Sequence, residues 1–491
     1  MKARRPIAWL LACTLTSGCL IGPDYHPPST DTPADWGEVS SPDEATRQGA
    51  AQASMWWTVF NDPELTSLLE WAAENNLDLQ QATSRIQQAR ALRTITASTL
   101  WPTVVAQGSY ARERGSANAP SFEPGDQFDL YQVGFDASWE LDVFGGNRRA
   151  VQAAEAELQA AELQRDAVLV SLLGEVGSDY IAYRSLQERI GIATQNVKTQ
   201  QDTLALTQRL FNAGLATDLD VARAEAQVAT TAAQIPQFIT QAQQAMHSLG
   251  VLLGEPPMTL ADELSYAAPI PRGPAVVDVG IPSDVLLQRP DLRTAERSAA
   301  AATAEIGVAM RDLYPRFFIT GLGALQSIRA SDLFDWNSRA MSLGPSISWT
   351  VFDAGLTRAT VKLRTAQQQQ QVAAYRSVVL QAFAEVEDAL VGYAQAQVRR
   401  DSLITAVNAN QRAADRSLQL YTQGLTDFLS VLEAQLNLFT SQDQLAQSER
   451  DIALELVALY KALGGGWDVA AGPPPPSNLD QQAPAPVDVA G

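Results

Sequence analysis

Few side chains in this sequence could carry covalent or metal chemistry. There are two cysteines, Cys13 and Cys19, and two histidines, His26 and His247, among 491 residues. The histidines lie far apart in sequence, so a His-based metal centre or a hydrolytic triad has little to stand on. Gly321–Gly323 reads GLG, but the third glycine of a dinucleotide fingerprint is missing and the stretch falls in a strand pattern. Carboxylates alone single out no nucleophile–base pair. The chain is therefore read as a non-enzyme with no cofactor. A formal net charge of −20 also argues against nucleic acid as a partner.

The one cysteine with a distinctive setting is Cys19, in LTSGCLIGPDY (Leu15–Tyr25). Upstream stand Lys2, Arg4 and Arg5, a short apolar run from Ile7 to Leu15, and the small residues Ser17 and Gly18. That order is an export signal, and the run is too short for a mature membrane-spanning helix. An uncleaved N-terminal anchor is the alternative. Small residues before a cysteine resemble the bacterial lipobox, which implies cleavage after residue 18 and lipidation of Cys19 with diacylglycerol and an N-acyl chain. The match departs at Leu15, four residues before Cys19, where the lipobox prefers three. Cleavage would remove Cys13 and leave Cys19 without an intramolecular disulfide partner.

The remaining sequence is organised by a duplication. LFNAGLATDLDVARAEAQ (Leu210–Gln227) parallels LYTQGLTDFLSVLEAQLN (Leu420–Asn437), and VGFDASW (Val133–Trp139) parallels LGPSISW (Leu343–Trp349). The offset of roughly 210 residues is far longer than a solenoid repeat. Expected boundaries are a signal over 1–18, an N-terminal segment over 19–75 and a first repeat over 76–254. A linker over 255–289, a second repeat over 290–467 and a disordered Pro-rich tail over 468–491 complete the chain. Each repeat should hold a helix, two strands, a very long helix, a turn and a return helix.

Strands are expected near 103–112, 132–143, 316–326 and 342–352. Val133, Phe135, Ala137, Trp139, Leu141 and Val143 share one face of the second; Gln132, Asp136, Ser138, Glu140 and Asp142 share the other. Leu343, Ile347, Trp349 and Val351 repeat the pattern against Ser342, Ser346, Ser348 and Thr350. The helical hairpins are expected over 147–253 and 357–463, with Pro236 kinking or breaking the first return helix. About 60 helical residues make a rod on the order of 90 Å long, which needs neighbours as a coiled coil or helical tube. Four strands cannot close a membrane barrel, which takes about eight at least. Lipid leaves no strand edge unpaired, so several chains must share one barrel.

CLIGPDYHPP after the signal, WWTVFNDPELTSLLEWAAENNLDLQQA (Trp56–Ala82), IPSDVLLQRPDLRTAERSAAAATAEIGVA (Ile281–Ala309) and LYKALGGGW (Leu459–Trp467) together resemble the outer-membrane factors. These are the TolC-like exit ducts of tripartite efflux pumps, here in their lipoprotein branch. The resemblance implies a mainly α fold with a transmembrane β contribution. Three chains would form a 12-stranded outer-membrane barrel continuous with a periplasmic α-helical barrel. It implies passive conduction of drugs or other small molecules, with a periplasmic adaptor protein, an inner-membrane RND-type pump and outer-membrane lipid as partners in a Gram-negative cell. A type I secretion duct and a non-channel periplasmic lipoprotein are the rival readings.

The resemblance also implies a periplasmic gate where the hairpins turn. Glu433 falls where the family carries an acidic constriction residue, Leu429 matches the accompanying apolar ring, and Asp220 matches an acidic residue of the first repeat. Leu429 and Glu433 are one helical turn apart and so share a face. Gly214 and Gly424 suit the positive φ at which a helix reverses. With Leu215, Thr217, Leu425 and Thr426 they form the turns that would meet the adaptor.

Overall fold

A computed structural model describes residues 20–29, 36, 55–116, 127–274, 277 and 289–467. The expectations for the signal, for Cys19 and for the tail after Trp467 lie outside the described residues. The chain divides into two compact units, one of Met1–Ser29, Arg85–Ala161 and Thr294–Arg376, the other of Thr30–Ser84, Glu162–Arg293 and Ser377–Gly491.

The first unit holds a four-stranded antiparallel sheet in the order β1-β2-β3-β4. The strands are β1 (Thr103–Arg114), β2 (Gln127–Leu141), β3 (Arg316–Ser327) and β4 (Arg339–Ser348). The two repeats join at its centre, where Tyr131 to Leu141 of β2 face Ser327 to Phe317 of β3. β1 and β3 begin immediately after Pro102 and Pro315, which lack the N–H a ladder needs. The proline before β3 also explains a difference from the alternating pattern, which ran on to Val351. The β3–β4 pairing stops at Arg316 opposite Ser348, so Trp349 to Val351 have no partner in the ladder. β2 likewise stops at Leu141, short of Val143.

Residues 20–29 lie on this unit as a strap. Gly22 has φ +88, and a Cβ there would stand 2.6 Å from Cα of Gly307. Arg149 holds the strap by donating to the carbonyls of Ile21 (2.8 Å) and Gly22 (3.2 Å) and to the Asp24 carboxylate (2.8 Å). Tyr25 packs on Ala156, Ala300 and Ala301 and donates its hydroxyl to Glu296.

The helices are α1 (Pro63–Asn75), α2 (Leu77–Ser98), α3 (Gly146–Asn212), α4 (Asp218–Ala232), α5 (Gln234–Leu252), α6 (Pro290–Met310), α7 (Leu356–Thr422) and α8 (Phe428–Ala462). The longest, α3 and α7, have 67 residues each. Each starts from an aspartate that accepts orphan amide hydrogens. Asp142 accepts from the N–H groups of Asn147 and Arg148, and Asp353 from those of Gly355 and Thr357 and from the Thr357 hydroxyl. The expected return helix over 218–253 is two helices broken at Ala233, with Pro236 in the first turn of α5, where its missing N–H costs little.

The second unit is bound by one large core. Trp56, Leu65, Leu68, Leu69, Leu173, Tyr180, Leu249 and Leu253 are all but inaccessible to solvent. Trp56 stacks on Tyr460 with centroids 6.1 Å apart, and a Cβ on Gly177 would come within 2.9 Å of its ring. Gly177 is thus a close-approach glycine in the middle of α3. α8 lies against α3 through Arg189–Asp443 (2.6 Å), Asn196–Gln442 (2.8 Å) and Gln435–Thr203 (2.9 Å), and against α7 through Arg399–Asp451 (3.0 Å). Polar rungs between helices, of which Gln435–Thr203 is buried, favour one register, since a buried donor needs its own acceptor.

The Asp353 cap predicts a pH effect. Its hydrogen bonds from the Thr357 hydroxyl and the Thr357 and Gly355 amides lower its pKa to about 2. A depressed folded-state value means that the cap stabilises α7 fully above the ordinary aspartate range and is lost as pH falls through about 2. Asp353→Asn should therefore loosen the first turn of α7 at pH 6, while the two proteins converge below pH 2. Hydrogen exchange at Gly355–Thr357 across that range measures it; equal exchange at pH 6 would contradict the assignment.

Candidate functional site

Two regions stand out: the sheet in the first unit and the hairpin turns in the second. Each is described separately.

Register divides the sheet into two faces. Val104, Val133, Phe135, Ile319, Leu343 and Ile347 stand on one, together with small residues. Gln107, Ser109, Gln132, Asp136, Ser342 and Ser346 stand on the other. The apolar side chains are open to the surroundings: Phe135 is 61% exposed, Leu343 83% and Met341 86%. Amphipathic aromatics stand at both ends. At the end nearer the helices, Trp139 donates its indole N–H to the carbonyl of Leu100 (2.9 Å) and Trp349 to that of Leu313 (3.3 Å), one from each repeat. At the loop end Tyr110 and Tyr131 pack with centroids 5.0 Å apart. An apolar band between aromatic girdles is the pattern of an outer-membrane strand, and 10 to 15 residues per strand is ample to span. On the polar face Glu140 is ion-paired with Arg316. No described helix is long and apolar enough to cross a membrane.

The two hairpin turns share one construction. Gly214 (φ 77) and Gly424 (φ 73) are left-handed. The N–H of Gly214 bonds to Phe211 O and that of Leu215 to Leu210 O; Gly424 to Tyr421 O and Leu425 to Leu420 O repeat it. This is the Schellman arrangement, which closes orphan carbonyls at a helix end. The next helix is capped at once. Thr217 and Asp220 make a reciprocal capping box at α4, and Asp427 accepts from the N–H and hydroxyl of Ser430 at α8. The turns leave Leu215 (74%) and Leu425 (69%) exposed at their tips, and Thr217 is exposed as well, with Thr426 only half-buried.

Leu429 and Glu433 stand on an exposed face of α8, opposite the buried Phe428, Val431 and Gln435. Glu433 has no hydrogen bond or ion pair among the described residues. Asp220 is placed differently. One carboxylate oxygen, Oδ2, accepts from both the N–H (3.0 Å) and the hydroxyl (2.7 Å) of Thr217, so the group is engaged within its own turn. Sequence reasoning missed Tyr421. Its ring packs with Phe428, Ala224 and Val431, and its buried hydroxyl makes no hydrogen bond of ordinary geometry among the described residues, the Thr207 hydroxyl being its polar neighbour. Burial raises its pKa; the Thr207 hydroxyl opposes this and the Asp220 charge reinforces it. The signal was present in the duplication, since Tyr421 falls opposite Phe211 and differs from it by that hydroxyl.

The family model "Outer membrane efflux protein" matches residues 68–255 and 281–465. The chain belongs to the outer membrane efflux protein family. The two matched stretches follow the duplication. Nodulation protein T of Rhizobium leguminosarum bv. trifolii is 32% identical over 464 residues, covering 93% of this chain and 96% of that protein. The solvent efflux pump outer membrane protein SrpC of Pseudomonas putida is 33% identical over 468 residues, covering 94% and 98%. Among solved structures, the outer-membrane channel OprN superposes with a TM-score of 0.85 at 36% identity, over 91% of this chain and all of that one. The present chain is an outer membrane protein of a Gram-negative cell.

Thr217→Ala removes the hydroxyl on which the capping box depends and should cost roughly 1 kcal/mol locally. The expected result is faster amide exchange at Asp218–Val221 with the sheet unchanged. Unaltered exchange there would show that the box adds nothing to the turn.

Proposed function

We propose that three copies of this chain form a passive exit duct, closing a 12-stranded outer-membrane barrel and bundling their hairpins into a periplasmic α-helical barrel. The observation that carries this reading is the sheet itself. It has one apolar face, and its two outer strands, β1 and β4, each pair on one side only. In lipid the unpaired backbone groups of those edges must find partners, and another copy of the same chain offers complementary ones. Four antiparallel strands make β4 of one chain antiparallel to β1 of the next, as closure requires.

Cargo would be small molecules delivered by an inner-membrane RND-type pump through a periplasmic adaptor. The exposed Leu215 and Leu425 of the twin turns, with Gly214, Thr217, Gly424 and Thr426, supply a repeated apolar docking surface for adaptor hairpins. Leu429 and Glu433 would line the constriction, repeated threefold by symmetry. Three carboxylates in a narrow pore attract cations and repel anions. Tyr421 and Asp220 flank the same turns from within the chain.

Cys19 would carry the lipid as a second anchor. The support for this is the fixed position of the residues just after it. Arg149 clamps the strap, and the N–H of Ile21 donates to Phe144 O (3.1 Å), three residues beyond the end of β2. That junction lies at the end of the apolar face marked by Trp139.

The reading is tested in two steps. Outer-membrane fractions should contain a heat-modifiable trimer, and the purified protein should form cation-preferring channels in planar bilayers. Glu433→Ala should lower the cation-to-anion permeability ratio by about twofold or more, most strongly in dilute salt, where the Debye length is about 30 Å. Channels whose selectivity ignores the substitution would remove Glu433 from the gate. A monomer that never conducts would point instead to a non-channel lipoprotein.

A further inference from the structure

The apolar face of the sheet is not uniform along its length. At its loop end it carries three arginines, Arg112, Arg114 and Arg339, against one aspartate, Asp129. Asp129 is already engaged, accepting from the Tyr110 hydroxyl at 3.0 Å with the Arg112 guanidinium 3.9 Å away. A basic surplus here stands out in a chain whose net charge is −20.

Beside Arg339 lies a groove of about 570 Å³. Its floor passes Gly108 and Gly323, its walls include Val133, Phe135 and Met341, and Arg339 stands at its end. Two observations place the groove on the apolar face. A Cβ on Gly323 would meet nothing within 4 Å, and one on Gly108 only Gln132 O at 3.9 Å, so this face is open above both glycines. Gly134, which points to the other face, has Ala324 at 2.5 Å and no such room. Phe135 and Met341 are left standing above the glycines as walls.

A hydrocarbon trough closed by a guanidinium matches a lipid better than it matches a soluble anion or a bare acyl chain. The trough accepts methylene groups, and the Arg339 guanidinium, whose Nε already donates to Trp336 O (2.7 Å), keeps its two Nη groups for two phosphate oxygens. The loop end is opposite the end from which the helices depart, so with the helices periplasmic, as proposed above, it would face the outer leaflet. We propose that this groove binds a phosphorylated lipid of the outer leaflet, with one acyl chain along Gly108 and Gly323 and a phosphate at Arg339. Arg112 and Arg114 extend the positive field along the same rim. The inference rests on the assignment of this face to membrane lipid.

The test uses the full-length protein in nanodiscs of digalactosyldiacylglycerol, a bulk lipid without phosphate, containing either lipid A or its dephosphorylated form, with bound lipid counted by native mass spectrometry. Wild type should retain the phosphorylated form at least fivefold better. Arg339→Gln should lower that retention about fivefold, the effect of one arginine at a membrane surface. Arg339→Lys should fall between, because it keeps the charge and loses the fork. Gly323→Leu should fill the groove and reduce retention of both forms. Equal retention of the two lipids, or wild-type retention by Arg339→Gln, would overturn the proposal. Displacement of the lipid by millimolar inorganic phosphate alone would overturn it too, by making the site a free-anion site. Bilayer conductance is recorded on the same preparations. Lipid indifference in a conducting protein refutes only this inference, whereas protein that never enters the nanodiscs refutes the membrane assignment beneath it.

Discussion

The backbone hydrogen bond in a medium without water is the constraint from which the rest follows. Every N–H and C=O of a membrane strand needs a partner, and the sheet supplies one on both sides only for β2 and β3. Among the described residues, β1 and β4 are complete on one side and open on the other. A half-satisfied sheet with an apolar face cannot be a finished object in lipid. In the proposed duct, association with other copies of the chain would supply the missing partners. In that reading the aromatic residues at the two ends of the face, Trp139 and Trp349 at one and Tyr110 and Tyr131 at the other, would mark the depth at which the constraint begins and ends.

Duplication meets that constraint economically. Two repeats each contribute one hairpin of strands, and the hairpins join through β2 and β3 at the centre of the sheet. The same economy governs the helices. Asp142 and Asp353 open the two long ones, and a left-handed glycine with a Schellman pair ends each. Such local devices allow very long helices to stop and reverse at defined points. Where the repeats depart from one another, chemistry enters: Tyr421 in place of Phe211, Asp427 capping alone where Thr217 and Asp220 form a box, and an unbroken α8 where α4 and α5 part at Ala233.

Much of this was legible in the sequence, for physical reasons that differ by element. β2 and β4 announced themselves by alternation because bulky apolar and polar residues take opposite faces. β1 and β3 were fainter because Gly108, Gly321 and Gly323 replace bulky side chains on the apolar face, and that same feature makes the groove. The turns were visible through Gly214 and Gly424, since few other residues accept positive φ. The caps Asp142 and Asp353 were not singled out, because they stand before the helical pattern begins, separated from it by glycines. The strap was beyond reach: Gly22 on Gly307 and Arg149 on Ile21 are contacts across more than a hundred residues that no local pattern encodes. At the turns, residue type alone could not tell that Asp220 spends one carboxylate oxygen on Thr217 while Glu433 has no partner among the described residues.

The central claim is that the open edges of the sheet are closed by other copies of the chain. It is tested most directly by disulfide crosslinking in outer membranes. A panel of paired cysteines would be used, one in β1 (Thr103–Arg114) and one in β4 (Arg339–Ser348). Within one chain these strands lie on opposite edges of the sheet, roughly 14 Å apart at 4.8 Å per strand step, beyond the reach of a disulfide. The account predicts crosslinks between chains, in one antiparallel register, giving covalent dimers and closed trimers. Membrane-embedded protein in which no register crosslinks, or in which the bond forms within a single chain, would contradict it.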